Sequence, residues 1–215
     1  MSTDQQKIVI VSYGLGNLGS IKNMLKKVGF PSVISGNPDD IAAADKVVLP
    51  GVGAFDNGMK HIVETGLLPV LNRKVLEEKT PLLGICLGMQ LLAKKSDEGK
   101  RDGLGWIDAE VRKFDFADQP HLKIPHMGWN YVRKTGDLPL TENLDGKTRF
   151  YFVHSYHVVC RNTADIILTC DYGGEFTCAV QHDNIMGVQF HPEKSHRFGM
   201  QLLKNFAGME VVCYR

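Results

Sequence analysis

The chain has 215 residues, 43% apolar and 23% charged, enough for one α/β domain spanning residues 1–215 around a sizeable core. Lys plus Arg number 25 against 24 Asp plus Glu, and no basic run exceeds two residues, which excludes the electrostatic footprint of a nucleic-acid binder. No stretch reaches the ~20 apolar residues that span a bilayer, and the polar start Met1 to Lys7 has no apolar signal-peptide core, so a cytoplasmic protein without membrane attachment is expected.

Ile8-Val-Ile-Val-Ser-Tyr13 is a short β-rich apolar run, which predicts a buried strand. Asn17 to Val28 carries apolar residues at helical spacing and ends before Gly29. Val33-Ile34 predicts a second strand, Pro38 to Ile41 the start of a short helix, and Val47 to Leu49 a third strand stopped by Pro50-Gly51. Met59 to Glu78 reads as helix interrupted at Gly66 and Pro69. Leu82 to Cys86 is a fourth strand, Met89 to Lys95 a helix, and Ser96 to Gly103 a polar loop. The alternation predicts a mostly parallel sheet with helices on both faces. In the second half, Arg149 to Val159, Ile166 to Asp171, Thr177 to Val180 and Ile185 to Phe190 read as strands with few helices between them. That implies a mixed or antiparallel extension. Ser195 to Ala207 closes the chain as a helix, with Ser195 as its expected cap.

Three motifs carry chemistry. Gly84-Ile-Cys86-Leu-Gly88 sits between a strand and a helix, the setting of a nucleophile elbow with Cys in place of Ser. The glycines suit a tight turn, and a cysteine leading a helix is favoured as thiolate. A buried structural cysteine in a Gly-flanked turn would carry the same pentapeptide. The second motif, Phe190-His191-Pro-Glu193, ends a strand. Residues two apart in extended chain share a side, so Glu193 can orient the His191 imidazole for proton transfer. For any single histidine a structural role is commoner, and His61, His121, His126, His157, His182 and His196 are assigned one. The third motif, Pro50-Gly-Val-Gly53, follows a strand and can aim backbone N–H groups into a crevice. Val52 or Gly53 is expected to supply one oxyanion donor and Leu87 the other. The remaining cysteines, Cys160, Cys170, Cys178 and Cys213, show no Cys-x-x-Cys pairing, so no metal site and reduced thiols are expected.

Gly14-Leu-Gly16-Asn-Leu-Gly19 also matches the dinucleotide fingerprint, but Val33-Ile34 is followed by Ser35-Gly36-Asn37 and lacks the acidic residue that holds a ribose.

Taken in order, the motifs resemble the class I, triad-type glutamine amidotransferases. Tyr13-Gly-Leu-Gly-Asn17, Pro50 to Phe55, Gly84 to Leu92, Pro125-His-Met-Gly-Trp-Asn130, Tyr151 to Tyr156 and Gly187 to Lys194 are similar to the glutaminase-subunit family of imidazole glycerol phosphate synthases, over nearly the whole chain. The resemblance implies the class I amidotransferase fold and L-glutamine as substrate. It implies no cofactor, and Cys86, His191 and Glu193 as a triad. It places glutamine contacts at Gln90, Glu98 and the backbone of His154, Ser155 and Tyr156. It implies a (β/α)-barrel cyclase as partner in a heterodimer, with Asn17, Pro125, Met127, Trp129 and Lys194 near the interface. A different client stays open at this level. The charged stretch Gly105 to Phe114 and Lys123-Ile-Pro125 would also suit a synthase that amidates surface-polysaccharide sugars. A non-catalytic interaction module of the same fold is a third reading, which the intact triad disfavours.

Overall fold

In the computed structural model, which describes residues 6–210, the first half of the chain supplies parallel strands, and the second half supplies antiparallel ones together with one strand, near its end, that returns to join the parallel part. The parallel part runs β1 (Ile8–Val11), α1 (Leu18–Lys27), β2 (Ser32–Ser35), α2 (Pro38–Ala42), β3 (Lys46–Gly51), α3 (Phe55–Glu64), α4 (Leu68–Asn72), β4 (Leu82–Cys86) and α5 (Leu87–Leu91). Then come β5 (Lys95–Ser96), β6 (Ala109–Lys113), β7 (His126–Lys134), β8 (Arg149–His154), β9 (Tyr156–Cys160), β10 (Ile166–Asp171), β11 (Glu175–His182), β12 (Ile185–Val188) and α6 (His196–Gly208). The sheet order is β2-β1-β3-β4-β12-β11-β10-β7-β8. Strands β2 to β12 in that order pair in parallel, and β11, β10, β7 and β8 continue antiparallel. A flap of β5, β6 and β9 joins through β9 to β11.

Alternation along β1 explains the layers. Ile8 and Ile10 pack with Ile21 and Leu25 of α1 and Leu202, Leu203 and Phe206 of α6 on one face. Val9 and Val11 pack with Phe55, Met59 and Ile62 of α3, Leu71 of α4 and Leu87 and Leu91 of α5 on the other. Burial on both faces is why these strands read as continuous apolar runs.

The structure departs from the sequence expectations at several places. Pro50-Gly51 does not end β3, because Pro50 pairs with Ile85 and Gly51 with Cys86. The helix expected from Met59 begins earlier, at Phe55, whose N–H donates to Glu98 Oε2 at 2.8 Å. That tertiary cap is invisible to local pattern. Pro69 lies in the first turn of α4, where it is tolerated, and the break falls between Glu64 and Leu68. The helix expected over Met89 to Lys95 is instead α5, which starts directly after Cys86. The run Arg149 to Val159 is broken at Ser155 because its halves have different neighbours. β8 pairs with β7, whereas β9 pairs with β6 and β11. Strands β6 and β7 were not anticipated. Ser195 precedes α6 without capping it; its hydroxyl donates to His191 O at 2.6 Å and accepts from Tyr151 N at 3.0 Å. Among the described residues no helix is long and apolar enough to cross a membrane. Met1 to Gln5 and Cys213 lie outside the described residues.

Candidate active site

The centre of the sheet builds the site. Strand β4 ends at Cys86, whose φ of 55° lies in the left-handed region that side chains avoid. Strain of about 1–3 kcal/mol persists only where the surroundings impose it, and here two glycines let them. A Cβ on Gly88 would sit 1.8 Å from Leu49 O, and one on Gly84 would sit 2.7 Å from Gly88 O. α5 therefore passes directly against β3, and the sharp turn lifts the Cys86 sulfur to the end of the sheet.

Strand β12 lies beside β4 and delivers the second partner. After Val188 the chain continues through Gln189 and Phe190 to His191, whose N–H donates to Tyr151 O at 2.9 Å. His191 and Glu193 share a side as expected: Nδ1 is 2.8 Å from Glu193 Oε1. Cys86 lies against the same imidazole, lining one cavity with it and helping to raise its pKa. Thus two side chains 105 positions apart in sequence meet because β4 and β12 are parallel neighbours. The Glu193 side chain is closed off from solvent, and its second oxygen, Oε2, has no hydrogen-bond partner among the described residues. Burial pulls the His191 pKa down, but its hydrogen bonds to Cys86 and Glu193 and their charges outweigh it and raise the pKa to about 9. An imidazole that holds its proton at neutral pH, aimed at a thiol and braced by a carboxylate, is the equipment of nucleophilic acyl chemistry.

Cys86 and His191 open into a cavity of about 500 Å³. Val52, Gly53 and Leu87 line it beside the sulfur, and Gln90, Glu98, His154, Ser155 and Tyr156 line it further out. Every residue expected for nucleophile, oxyanion and glutamine contact is therefore gathered in one place. The Val52-Gly53 turn follows directly on the Gly51–Cys86 pair. Its approach is held by the buried Tyr13 hydroxyl, which donates to Pro50 O at 2.7 Å. Gly53 has a φ of 102°, a conformation that glycine alone adopts freely. Glu98 is no free loop charge: one carboxylate oxygen anchors Phe55 N–H while the side chain faces the cavity.

The residues expected at a partner surface are all exposed. Met127 and Trp129 share the outer face of β7, with Trp129 stacked on His196 at 5.5 Å and Arg149 lying over its ring. Lys194 lies over Tyr151 at 5.6 Å. Pro125 is exposed and also lines the cavity, so that surface and the site adjoin.

Sequence reasoning missed two buried residues that touch the lining of the cavity from behind. His126, assigned a default structural role at a strand end, is only 2% exposed, and its Nδ1 is 3.0 Å from His154 Nε2. Gln189 is fully buried, and its Nε2 is 3.8 Å from Cys86 Sγ. The hint for Gln189 was its place inside the Gly187 to Lys194 motif; His126 had none beyond its own motif. Two glycines of the fingerprint at Gly14 to Gly19 are hemmed in by side chains: His61 Nδ1 contacts Tyr13 O at 2.9 Å and crowds Gly14, while Pro50 crowds Gly16. The other described cysteines, Cys160, Cys170 and Cys178, are free, and burial pushes the first two up to about 12.

Comparison with known proteins agrees with this geometry. The family model "Glutamine amidotransferase class-I" matches residues 9–209. The imidazole glycerol phosphate synthase subunit HisH 2 of Methanococcus maripaludis is 55% identical over 93% of this chain and 98% of its own. The subunit HisH 2 of Pseudomonas aeruginosa is 49% identical over the same shares. Among solved structures, PurLQS from Thermotoga maritima superposes with a TM-score of 0.69 at 17% identity, over 94% of this chain and 97% of that one, a likeness of fold alone. The chain belongs to the class-I glutamine amidotransferase family, and within it to the group of imidazole glycerol phosphate synthase HisH subunits.

Proposed function

We propose that this chain is the glutaminase subunit of an imidazole glycerol phosphate synthase, one domain over its whole length. It takes ammonia from L-glutamine and hands it to a cyclase subunit in histidine biosynthesis. The family match and the relatives at 55% and 49% identity support the assignment. The single observation that carries the chemistry is His191 held between Cys86 and Glu193.

Each residue then has a task. The Cys86 thiolate attacks the side-chain carboxamide of glutamine. Leu87 N–H and a donor from Val52 or Gly53 hold the tetrahedral oxyanion. His191 protonates the departing ammonia, leaving a glutamyl thioester, and then activates the water that releases glutamate. Glu193 keeps the His191 tautomer and orientation. Glu98 is assigned the α-ammonium group, and Gln90 and the backbone of His154 to Tyr156 the rest of the amino acid, an assignment supported by their all lining the one cavity. Ammonia released into bulk water would be protonated and lost as a nucleophile, which calls for a sealed partner. We assign that role to a (β/α)-barrel cyclase forming a heterodimer over Asn17, Pro125, Met127, Trp129 and Lys194. There the nitrogen enters a ribonucleotide that yields imidazole glycerol phosphate and aminoimidazole-carboxamide ribotide.

The test is Cys86→Ala in the complex with the cyclase. Glutamine-dependent synthesis should vanish while synthesis from added ammonium salt persists. Retained glutamine-dependent turnover would remove the nucleophile assignment.

A further inference from the structure

Gln189 has no task in the chemistry above, yet it is fully buried against the nucleophile. Its carboxamide has two ends with opposite properties, and which end meets the sulfur matters. The surrounding hydrogen bonds decide it. Gln90 Nε2 lies 3.1 Å from Tyr156 O and 3.0 Å from Gln189 Oε1. A backbone carbonyl only accepts, so Gln90 must present its N–H₂ there and not its oxygen. The same N–H₂ then needs an acceptor at Gln189, which fixes Oε1 toward Gln90. What remains is Gln189 Nε2, 3.8 Å from Cys86 Sγ, within reach of a hydrogen bond to sulfur.

The Tyr156 carbonyl is itself held from the other side. His154 Nδ1 lies 2.8 Å from it and must carry the proton. His154 Nε2 is then a lone pair, which accepts from His126 Nδ1–H at 3.0 Å. His126 Nε2 in turn faces Asn130 Nδ2 at 3.5 Å, and that amide also donates to Asp171 O at 2.8 Å. Two backbone carbonyls, at Asp171 and Tyr156, thus set the direction of every link. Burial keeps both imidazoles neutral, with His126 pulled down to about 4 and His154 to about 3, so neither tautomer is scrambled by a proton near neutral pH.

We propose that Gln189 is a further catalytic residue, whose carboxamide N–H donates to the Cys86 sulfur and stabilises the thiolate, with its orientation imposed by Gln90 and the Tyr156 carbonyl. The inference rests on the glutaminase reading, which makes Cys86 the nucleophile. With the thiol proton on His191, the sulfur faces two donors, the imidazolium and the Gln189 amide. Hydrogen bonds to a charged acceptor are the strong ones. His126 and His154 are positioning residues that act through Tyr156 and Gln90.

The experiment reads the thiolate without using glutamine. Iodoacetamide alkylation of Cys86 is followed against pH by mass spectrometry of its peptide, in the wild-type protein and in Gln189→Met, which keeps length and volume but removes the donor. Kinetic constants for glutamine are measured on the same preparations in complex with the cyclase. Alkylation of Gln189→Met at pH 7 should fall about tenfold, as loss of one hydrogen bond to an anion implies. Its pH midpoint should rise, and kcat should fall with KM within about twofold. Gln189→Glu, which turns an acceptor toward the sulfur, should fall further. A wild-type measurement guards against misfolded variants: the Gln189 side-chain amide resonances should shift with the same midpoint as alkylation. Coincident alkylation profiles for wild type and Gln189→Met, or amide resonances that stay still while Cys86 titrates, overturn the proposal. A wild-type Cys86 that alkylates as expected but never turns over glutamine overturns the glutaminase reading instead.

Discussion

Lowering the pH from 7 to 5 should destabilise this protein, and the buried histidines set the size of the loss. His126 and His154 are 2% and 6% exposed, and burial depresses their pKa values to about 4 and about 3. Both stay neutral in the folded state at pH 5. In the unfolded chain they return to the ordinary value of about 6.5 and bind protons as the pH falls. Unfolding therefore takes up two protons over this window, and stability drops as pH falls. One pKa unit is worth about 1.4 kcal/mol, so each histidine removes about 2 kcal/mol by pH 5. His191 has the opposite sign. Its folded pKa of about 9 means that it is protonated throughout, and over the same window, as the unfolded imidazole gains its proton, it returns about 1 kcal/mol. The net loss is about 3 kcal/mol, with His157, also lowered by burial, adding in the same direction. Urea unfolding followed by circular dichroism at the two pH values should show the midpoint about 1 M or more lower at pH 5. In His126→Asn, which cannot titrate, the difference between the two pH values should shrink by about half. A wild-type midpoint that is equal at both pH values, or higher at pH 5, would refute the claim that these imidazoles are held neutral.

Three further outcomes follow from single contacts. Glu193→Gln keeps a hydrogen bond to His191 but removes the charge that helps hold its proton; glutamine turnover should fall less than in Cys86→Ala, and the alkaline limb of its pH profile, near 9 in the wild type, should move down. Gly88→Ala drives a Cβ to 1.8 Å from Leu49 O, so overpacking of about 3 kcal/mol should lower the melting temperature by roughly 6–12 °C. Trp129→Ala removes a side chain that is 41% exposed in the isolated chain; its melting temperature should hold steady while calorimetry records at least about a tenfold loss of affinity for the cyclase.

What could be read from the sequence followed the range of the forces involved. The parallel strands were legible because burial on both faces leaves a continuous apolar run, as in Leu82 to Cys86. The elbow was legible because Gly84 answers a clash with Gly88 O four positions on, although the need for Gly88 itself comes from Leu49 O on β3. The triad was partly local, since His191 and Glu193 lie two apart, and partly fixed by the β4–β12 pairing that motif order pointed to. What failed was set by tertiary partners. The start of α3 depends on Glu98, some 43 positions away. The strand β7 alternates exposed Met127, Trp129 and Tyr131 with less exposed neighbours, but its exposed positions are large and apolar, so no polar-out signal was present. Ser195 was a sound cap by type, yet its hydroxyl went to a stronger competitor, the His191 carbonyl.

The break at Ser155 shows why such failures gather at the site. Arg149 to Val159 has the composition of one strand, and as one strand it would present its backbone only to strand neighbours. Changing partners at Ser155, from β7 to β6 and β11, frees the local backbone from a regular ladder. The Tyr156 carbonyl can then accept from the side chains of Gln90 and His154. That carbonyl sets which way Gln90 turns, and Gln90 sets which atom of Gln189 meets the sulfur. A propensity argument favours continuing the strand, and chemistry at Cys86 requires stopping it. Restoring a continuous strand, for instance with Ser155→Val, should leave the β-sheet content unchanged by circular dichroism while raising KM for glutamine and slowing Cys86 alkylation together. If both rates stay at wild-type values, the interruption is incidental and the carbonyl is oriented by something else.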